Sequence, residues 1–557
     1  PRVMEFGKAF GLACAFIVTM ALAARLSYVR PTSRVLRSAP FVSRRGASAM
    51  ATARSSRGWL RLSTRPNHSG LRYGIRSYVS RASISSSHQF DVDVDKIFCE
   101  GTPSSVGLHL VPKGDEEALA AAAGPILEFA KTCKFSGEAG QVCTLPGTQG
   151  NLGSVLYGVG DETDPMVMGS APSKLPEDTA YVIKNKLTSA QATEAAIAWG
   201  LGSYKFTRMK SVEEKKEEKS PAGLVWPEGA DRDKVKAIVE GMFLARDLIN
   251  TPANFMGPEE LEQEARNVAS IHGAEINVTS GSELVSDYPM IDAVGRASNR
   301  SPRLVDIRWG DKNAPKVTLV GKGVVFDTGG LDIKPASAMF PMKKDMGGAA
   351  SILGLAHMLM CSNLNINLRV LLPIAENSIS DNAFRPSDVL TSRSGITVEV
   401  GNTDAEGRLI LADALSLGDE EIPEVMVDMA TLTGAHRVAL GWDLPGLFTN
   451  DDNLALELQK KGEEIGDPMW RLPLFKGYEP MLKSKVADTS STGSKPLAGA
   501  ITAALFLKKF VPKTIENGGA WIHIDFAGWT DSRPGRPEGG EAQGIQALYA
   551  YITERYE

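Results

Sequence analysis

Three short stretches of the chain concentrate side chains that a folded core tolerates poorly. GKGVVFDTGGLDIKP carries Lys322, Asp327 and Lys334, MKKDMGGAA carries Asp345, and GNTDAEGR carries Asp404, Glu406 and Arg408. Four carboxylates and three cations thus fall on loops of one region. Gathering carboxylates in a partly buried cleft is costly, because like charges raise one another's pKa unless cations neutralise them. A divalent metal is the simplest remedy. Hard oxygen ligands suit Mg, Mn or Zn, and two ions about 3.5–4 Å apart can share carboxylates and activate one water between them. Only seven histidines occur, none of them in these stretches, and no HExxH or HxxEH string is present, so a histidine-based zinc site is not expected. Taken singly, Asp345 ahead of a helix would merely complement the helix dipole, and Asp404 would serve as an N-cap. It is their joint occurrence that points to metal.

The elements that must position these residues are legible from apolar runs. KVTLVGKGVVF, LRVLLPIA, EVMVDMATL and AWIHIDFAG read as buried strands, and ITVEV as a strand running into GNTDAEGR. GGAASILGLAHMLM and GRLILADALSLG read as helices between them, which implies a central sheet covered on both faces with chemistry at the C-terminal strand ends. DKVKAIVEGMFLARDLINT is helical by its i, i+3, i+4 spacing and ends at Thr251–Pro252. Upstream, residues 91–209 alternate short apolar runs with helical stretches, the βαβ rhythm of a small α/β domain. Residues 210–232, including KSVEEKKEEKSPAG, are charged and rich in breakers and read as a linker, leaving 233–557 as the larger domain.

NTDAEGRLILADAL, preceded at matching spacing by GKGVVFDTGGLDIKP and MKKDMGGAA, resembles the leucyl (cytosol) aminopeptidase family of dinuclear metallopeptidases. RDLINTPAN, TLTGA, WRLPL and GAITAALFLKKFV extend the likeness over roughly residues 240–530. It implies a two-domain α/β protein: a smaller N-terminal domain, macrodomain-like in outline, and a larger catalytic domain with a central mixed sheet flanked by helices. It implies two divalent ions (Zn or Mn, with Mg a further choice) held by Lys322, Asp327, Asp345, Asp404 and Glu406, with Asp327 and Glu406 bridging. Lys334 would polarise the scissile carbonyl, Arg408 would hold a bicarbonate serving as general base, and Met342, Thr431 and Gly434 would line the pocket for the first side chain. The implied reaction is hydrolysis of the N-terminal peptide bond, with leucine and other apolar residues preferred, by a homohexamer. One departure is plain: where relatives carry a string like GATGFGV near the C-terminus, this chain reads EAQGIQAL, which bears on local packing or subunit contacts.

Residues 1–90 hold fifteen Lys/Arg against one acid, leaving 46 basic and 65 acidic side chains in 91–557. A body that acidic argues against DNA binding, which needs clustered cations. No phosphate-cradling GxGxxG or GxxxxGK[ST] supports a nucleotide-binding role for the N-terminal domain. Residues 9–24 form an apolar run, shorter than a comfortable membrane span, that reads as a signal segment. The Arg/Ser-rich stretch that follows reads as a transit peptide. The expectation is a leader removed before about Asp91 and a plastid or mitochondrial destination, with the cytoplasm as the alternative; translation would start at Met4 or Met50. Five cysteines without CxxC spacing support neither a disulfide framework nor a thiolate zinc site, and Cys361, following LGLAHMLM, reads as a small buried hydrophobe. His357 and His523 read as satisfied core histidines.

Overall fold

The structure is a computed structural model that describes residues 94–147, 150–161, 164–211 and 220–557. The expected leader lies outside them. The N-terminal domain is a six-stranded sheet in the order Phe98–Cys99, Gly223–Val225, Ala180–Ile183, Val106–Pro112, Leu152–Gly160, Val142–Pro146, parallel except for the last pair. Gly223–Val225 falls within the stretch read as a linker, yet it pairs on both sides and closes this sheet. Its Leu224 is fully buried, and the neighbouring Ala222 carbonyl accepts from Trp199 Nε1 at 3.1 Å, so apolar burial rather than chain position decides where the segment belongs. Trp199 lies on the helix Ser189–Gly202, which starts with a capping box between Thr188 and Gln191.

The larger domain is built on a nine-stranded mixed sheet. Its path runs Trp470–Arg471, Gly446–Thr449, Ala520–Asp525, Val425–Ala430, Lys316–Gly321, Asn367–Asn377, Arg303–Gly310, Glu275–Ser280, and Gly323–Asp327 pairs with the distal half of Asn367–Asn377. The inner strands from Ala520–Asp525 to Asn367–Asn377 are parallel, and antiparallel strands flank them. KVTLVGKGVVF is therefore two strands, broken at Lys322. Asn367–Asn377 bonds Lys316–Gly321 as far as Leu371 and Gly323–Asp327 from Ile374. Pro373, which has no N–H to give, sits at that changeover. ITVEV contributes Thr397–Glu399 to a separate three-stranded sheet with Val389–Thr391 and Thr489–Ser490, not to the central one. With only the middle residue of that strand buried, it is a half-exposed flap.

Two helices brace the site. Arg232–Asn250, capped by Asp231 accepting from Lys234 N, crosses Gly347–Cys361 in direct backbone contact. A Cβ on Gly241 would sit 2.7 Å from the Gly354 carbonyl oxygen, and one on Gly354 would sit 2.5 Å from that of Gly241. Facing glycines are what allow the approach. One apolar core runs through this crossing from Phe98 and Trp199 of the smaller domain to Leu355 and Ile522 of the larger. Among the described residues, no helix is long and apolar enough to cross a membrane.

Candidate metal centre

The parallel strands end on one side of the sheet, and their ends carry the polar groups. Asp327 closes Gly323–Asp327, Asn377 closes Asn367–Asn377, Asp525 closes Ala520–Asp525, and Thr431 follows Val425–Ala430. Lys322 occupies the strand break. Its N–H donates to Met429 O at 3.0 Å, and its carbonyl accepts from Ala349 N at 2.8 Å, in the first turn of the helix Gly347–Cys361. Gly348 makes this junction possible, since a Cβ there would lie 2.1 Å from Met429 O and 2.8 Å from Lys322 N. Asp345 sits on the 3₁₀ turn Met342–Met346 that enters the same helix. Asp404 lies in the turn Thr403–Ala405, whose N-cap is Asn402 rather than Asp404, and Glu406 and Arg408 begin the helix Gly407–Asp419.

The side chains converge. One carboxylate oxygen from each of Asp327, Asp345 and Glu406, all buried, lies within 4.8 Å of the other two. Lys322 Nζ is 2.8 Å from Asp345 Oδ2 and 3.0 Å from Glu406 Oε1, while Lys334 Nζ is 2.7 Å from Asp327 Oδ2 and also pairs with Asp404. Burial pushes Asp327 up, and Glu406 and Asp345 add to the shift, to about 7. Asp404 rises to about 6 through burial and then Asp327, and burial also raises Asp345 against the pull of Lys322. Glu406 goes the other way: burial opposes its charge, but Lys322 and Lys334 outweigh it and hold the carboxyl below its usual range. Burial likewise opposes the Lys322 ammonium, and Asp345, Glu406 and Asp327 overcome it and raise its pKa.

The donor set fits a divalent ion. Glu406 Oε2 is buried and has no hydrogen-bond partner among the described residues, so at least one lone pair is left for a cation in a place where an unpartnered charge is expensive. Oxygen donors of this kind favour a hard cation. The carboxylates are themselves held in place. Asn377 Nδ2 donates to Asp327 Oδ1 at 2.8 Å and to Thr403 O at 3.1 Å, Gly329 N donates to the same Asp327 oxygen at 2.8 Å, and Thr431 Oγ1 donates to Asp345 Oδ1 at 2.8 Å. Asn377 and Thr403 escaped the sequence reading. The one signal was a polar residue ending the apolar run LRVLLPIAEN.

Above the cluster opens a cleft of about 740 Å³ whose walls include Lys322, Asp327, Lys334, Asp345, Asp404 and Arg408. Met342, Thr431 and Gly434 line it too, with Phe526 and Trp442, so every residue assigned to the metal site or its pocket from the sequence except Glu406 reaches the cleft, and Glu406 lies buried against Lys322. Arg408 Nη1 donates to Ser491 O at 2.7 Å; its Nε is buried without a partner, and burial brings the guanidinium down to about 10.

A two-domain α/β protein with buried carboxylates and lysines gathered at parallel strand ends beneath an open cleft has the build of a metal-dependent hydrolase. Sequence comparison gives its kind. Residues 243–549 match the catalytic domain of the cytosol aminopeptidase family, and residues 109–227 match the M17 aminopeptidase N-terminal domain. The chain belongs to the cytosol aminopeptidase family and is a metal-dependent aminopeptidase. The "Probable cytosol aminopeptidase" of Methylobacterium radiotolerans is 38% identical over 491 residues, 82% of this chain and 96% of that protein. The crystal structure of cytosol aminopeptidase from Coxiella burnetii superposes with a TM-score of 0.78 at 41% identity, covering 83% of this chain and all of that one. The bottromycin maturation enzyme BotP in complex with Mn matches with a TM-score of 0.73 at 30% identity, over 82% of this chain and all of that one.

Proposed function

We propose that the cluster holds two divalent ions, Mn or Zn with Mg a further choice, and that the enzyme removes leucine and other apolar residues from peptide N-termini. Lys322, Asp327, Asp345, Asp404 and Glu406 would hold the ions in this reading, with Asp327 and Glu406 available to both. The observation that carries it is the mutual approach of the three buried carboxylates with an unpartnered Glu406 oxygen among them. Such a pair of ions supplies an activated water and a Lewis acid for the carbonyl, and it anchors a free α-amine, which restricts cleavage to a chain end.

The residues do the rest. Lys322 would coordinate only as the neutral amine, and dications paired with Asp345 and Glu406 would favour loss of its proton. Lys334 reaches toward the substrate from between Asp327 and Asp404 and stabilises negative charge developing on the carbonyl oxygen. Arg408, whose Nε has no partner among the described residues, would hold a bicarbonate there, and that anion would supply a general base for the attacking water. Met342, Thr431 and Gly434 shape the pocket for the first side chain, where a flexible Met lining accepts several apolar groups. The proposed assembly is a homohexamer, to be tested by analytical ultracentrifugation. The relatives named for the cytosol favour the cytoplasm over an organelle.

The test is reconstitution of the metal-free enzyme with Mn or Zn, assayed on leucine-p-nitroanilide and a dipeptide panel. Asp345→Ala and Glu406→Gln are expected to abolish turnover under every metal. Activity comparable to wild type in either variant removes the proposed mechanism.

A further inference from the structure

The helix Gly347–Cys361 has a second chemically unusual end. Asp345 precedes its first turn, while His357 and Cys361 lie at i, i+4 in its last turns, about 20 Å away along the axis at 1.5 Å per residue. Contrary to the expectation of a buried hydrophobe, Cys361 is exposed, because the apolar run ends one residue before it and the final turn rolls outward. His357 is buried, and it does not stand alone. His272, capping the end of the helix Pro258–Ile271, places Nε2 at 3.0 Å from His357 Nδ1, and Glu240 of the helix Arg232–Asn250 places Oε2 at 3.2 Å from His357 Nε2. Cys361 Sγ is 3.6 Å from the same Nε2.

These spacings match a tetrahedral metal site. With metal–nitrogen and metal–oxygen bonds near 2.0–2.1 Å and metal–sulfur near 2.3 Å, the edges of such a tetrahedron are about 3.3–3.6 Å. The His357–Cys361 separation of 3.6 Å is such an edge, and the His357–Glu240 separation of 3.2 Å is just short of one. A ring nitrogen of His272 lies within 4.8 Å of both His357 and Cys361 donors, and its half-exposed ring can close the remaining distance by rotation. Burial and the neighbouring His357 bring His272 down to about 4, so its ring is neutral near pH 7, and the Nε2 that faces His357 Nδ1 must exchange that hydrogen bond for the ion on binding.

We propose that His272, His357, Cys361 and Glu240 form a second metal site, separate from the catalytic cluster, that takes one borderline or soft divalent ion such as Zn²⁺. One thiolate, two imidazoles and a carboxylate are a zinc-type donor set, unlike the oxygen-rich catalytic cluster. The site staples three helices, two of which cross at Gly241 and Gly354, and acts on stability. Binding releases the thiol proton and whatever proton the histidine pair carries, so affinity increases with pH.

Cobalt distinguishes the two sites, since no cysteine belongs to the catalytic cluster. Co²⁺ added to the metal-free full chain is expected to give a thiolate-to-cobalt charge-transfer band in the near ultraviolet. Cys361→Ser is expected to lose that band and one equivalent of bound Co²⁺, and to melt at a lower temperature than metal-loaded wild type, while keeping its turnover of leucine-p-nitroanilide. His272→Ala is expected to weaken the band and shift it. Absence of the band in wild type, or its survival in Cys361→Ser, overturns the proposal.

Discussion

Replacing Glu541 by Leu tests how the C-terminal EAQGIQAL string is held in the fold. Glu541 belongs to the EAQGIQAL string and is fully buried against Arg246, whose side chain is only 1% exposed. Arg246 Nε and Nη2 lie 3.0 and 2.9 Å from Glu541 Oε2, and the other guanidinium bonds go to Leu201 O of the smaller domain and to Gly535 O. Removing the acid leaves a guanidinium charge with carbonyl partners alone. Breaking one side of a buried ion pair costs about 3–5 kcal/mol, whereas replacing both sides with apolar groups of similar volume is often neutral. At about 2.1 cal/mol/K per residue, unfolding roughly 460 residues carries an entropy near 1 kcal/mol/K, so the single variant should melt about 3–5 °C lower. The assay is scanning calorimetry of wild type, Glu541→Leu, Arg246→Met and the double variant at one metal concentration, with the coupling read from the cycle. Each single variant should be destabilised and the double should return most of the way. A single variant as stable as wild type, or a double that loses the sum of both, refutes the reading of Arg246 and Glu541 as a mutually stabilising buried pair.

Gly348→Ala forces a Cβ against Met429 O and Lys322 N, backbone atoms that cannot swing aside, so kcat/KM on leucine-p-nitroanilide should drop at least about a hundred-fold while circular dichroism stays native. Asn377→Leu strips the donor that orients Asp327, and the Mn concentration giving half-maximal activity should rise by about 10–100-fold. His523 is buried with Nδ1 2.5 Å from Asp428 Oδ1; burial opposes its charge, but Asp428 prevails and raises the pKa above 6.5. A raised folded pKa means the ion pair stabilises fully below about pH 6.5 and is lost as pH climbs through the folded value. Melting temperature should therefore fall from pH 6.5 upward more steeply in wild type than in His523→Gln, and parallel pH profiles would contradict the assignment.

What could be read ahead of the structure was whatever the chain writes contiguously. Asp404, Glu406 and Arg408 fall within five residues ahead of a helix, and Asp327 and Lys334 flank one loop, so local spacing alone placed them together. Asn377 supports Asp327 from fifty residues away, across a strand pairing that no local pattern announces. The break at Lys322 was hidden because both halves of KVTLVGKGVVF are equally apolar; only the change of partner along Asn367–Asn377 separates them. Gly223–Val225 was masked by its charged neighbours, since three residues, two of them buried, are too few to show a period. Cys361 misled because an apolar run reports that a helix is buried, not where its final turn emerges. His357 has hydrogen-bond partners at both ring nitrogens, but they come from two other helices and could not be named from the sequence.

The central claim is that two divalent ions share Asp327 and Glu406. Electron paramagnetic resonance of the metal-free enzyme titrated with Mn²⁺ tests it directly, because ions close enough to share carboxylates couple magnetically and isolated ions do not. An exchange-coupled signal that grows to two Mn²⁺ per chain in step with peptidase activity, and that vanishes with activity in Glu406→Gln, is the predicted result. Full activity with a single, uncoupled Mn²⁺ would contradict the account.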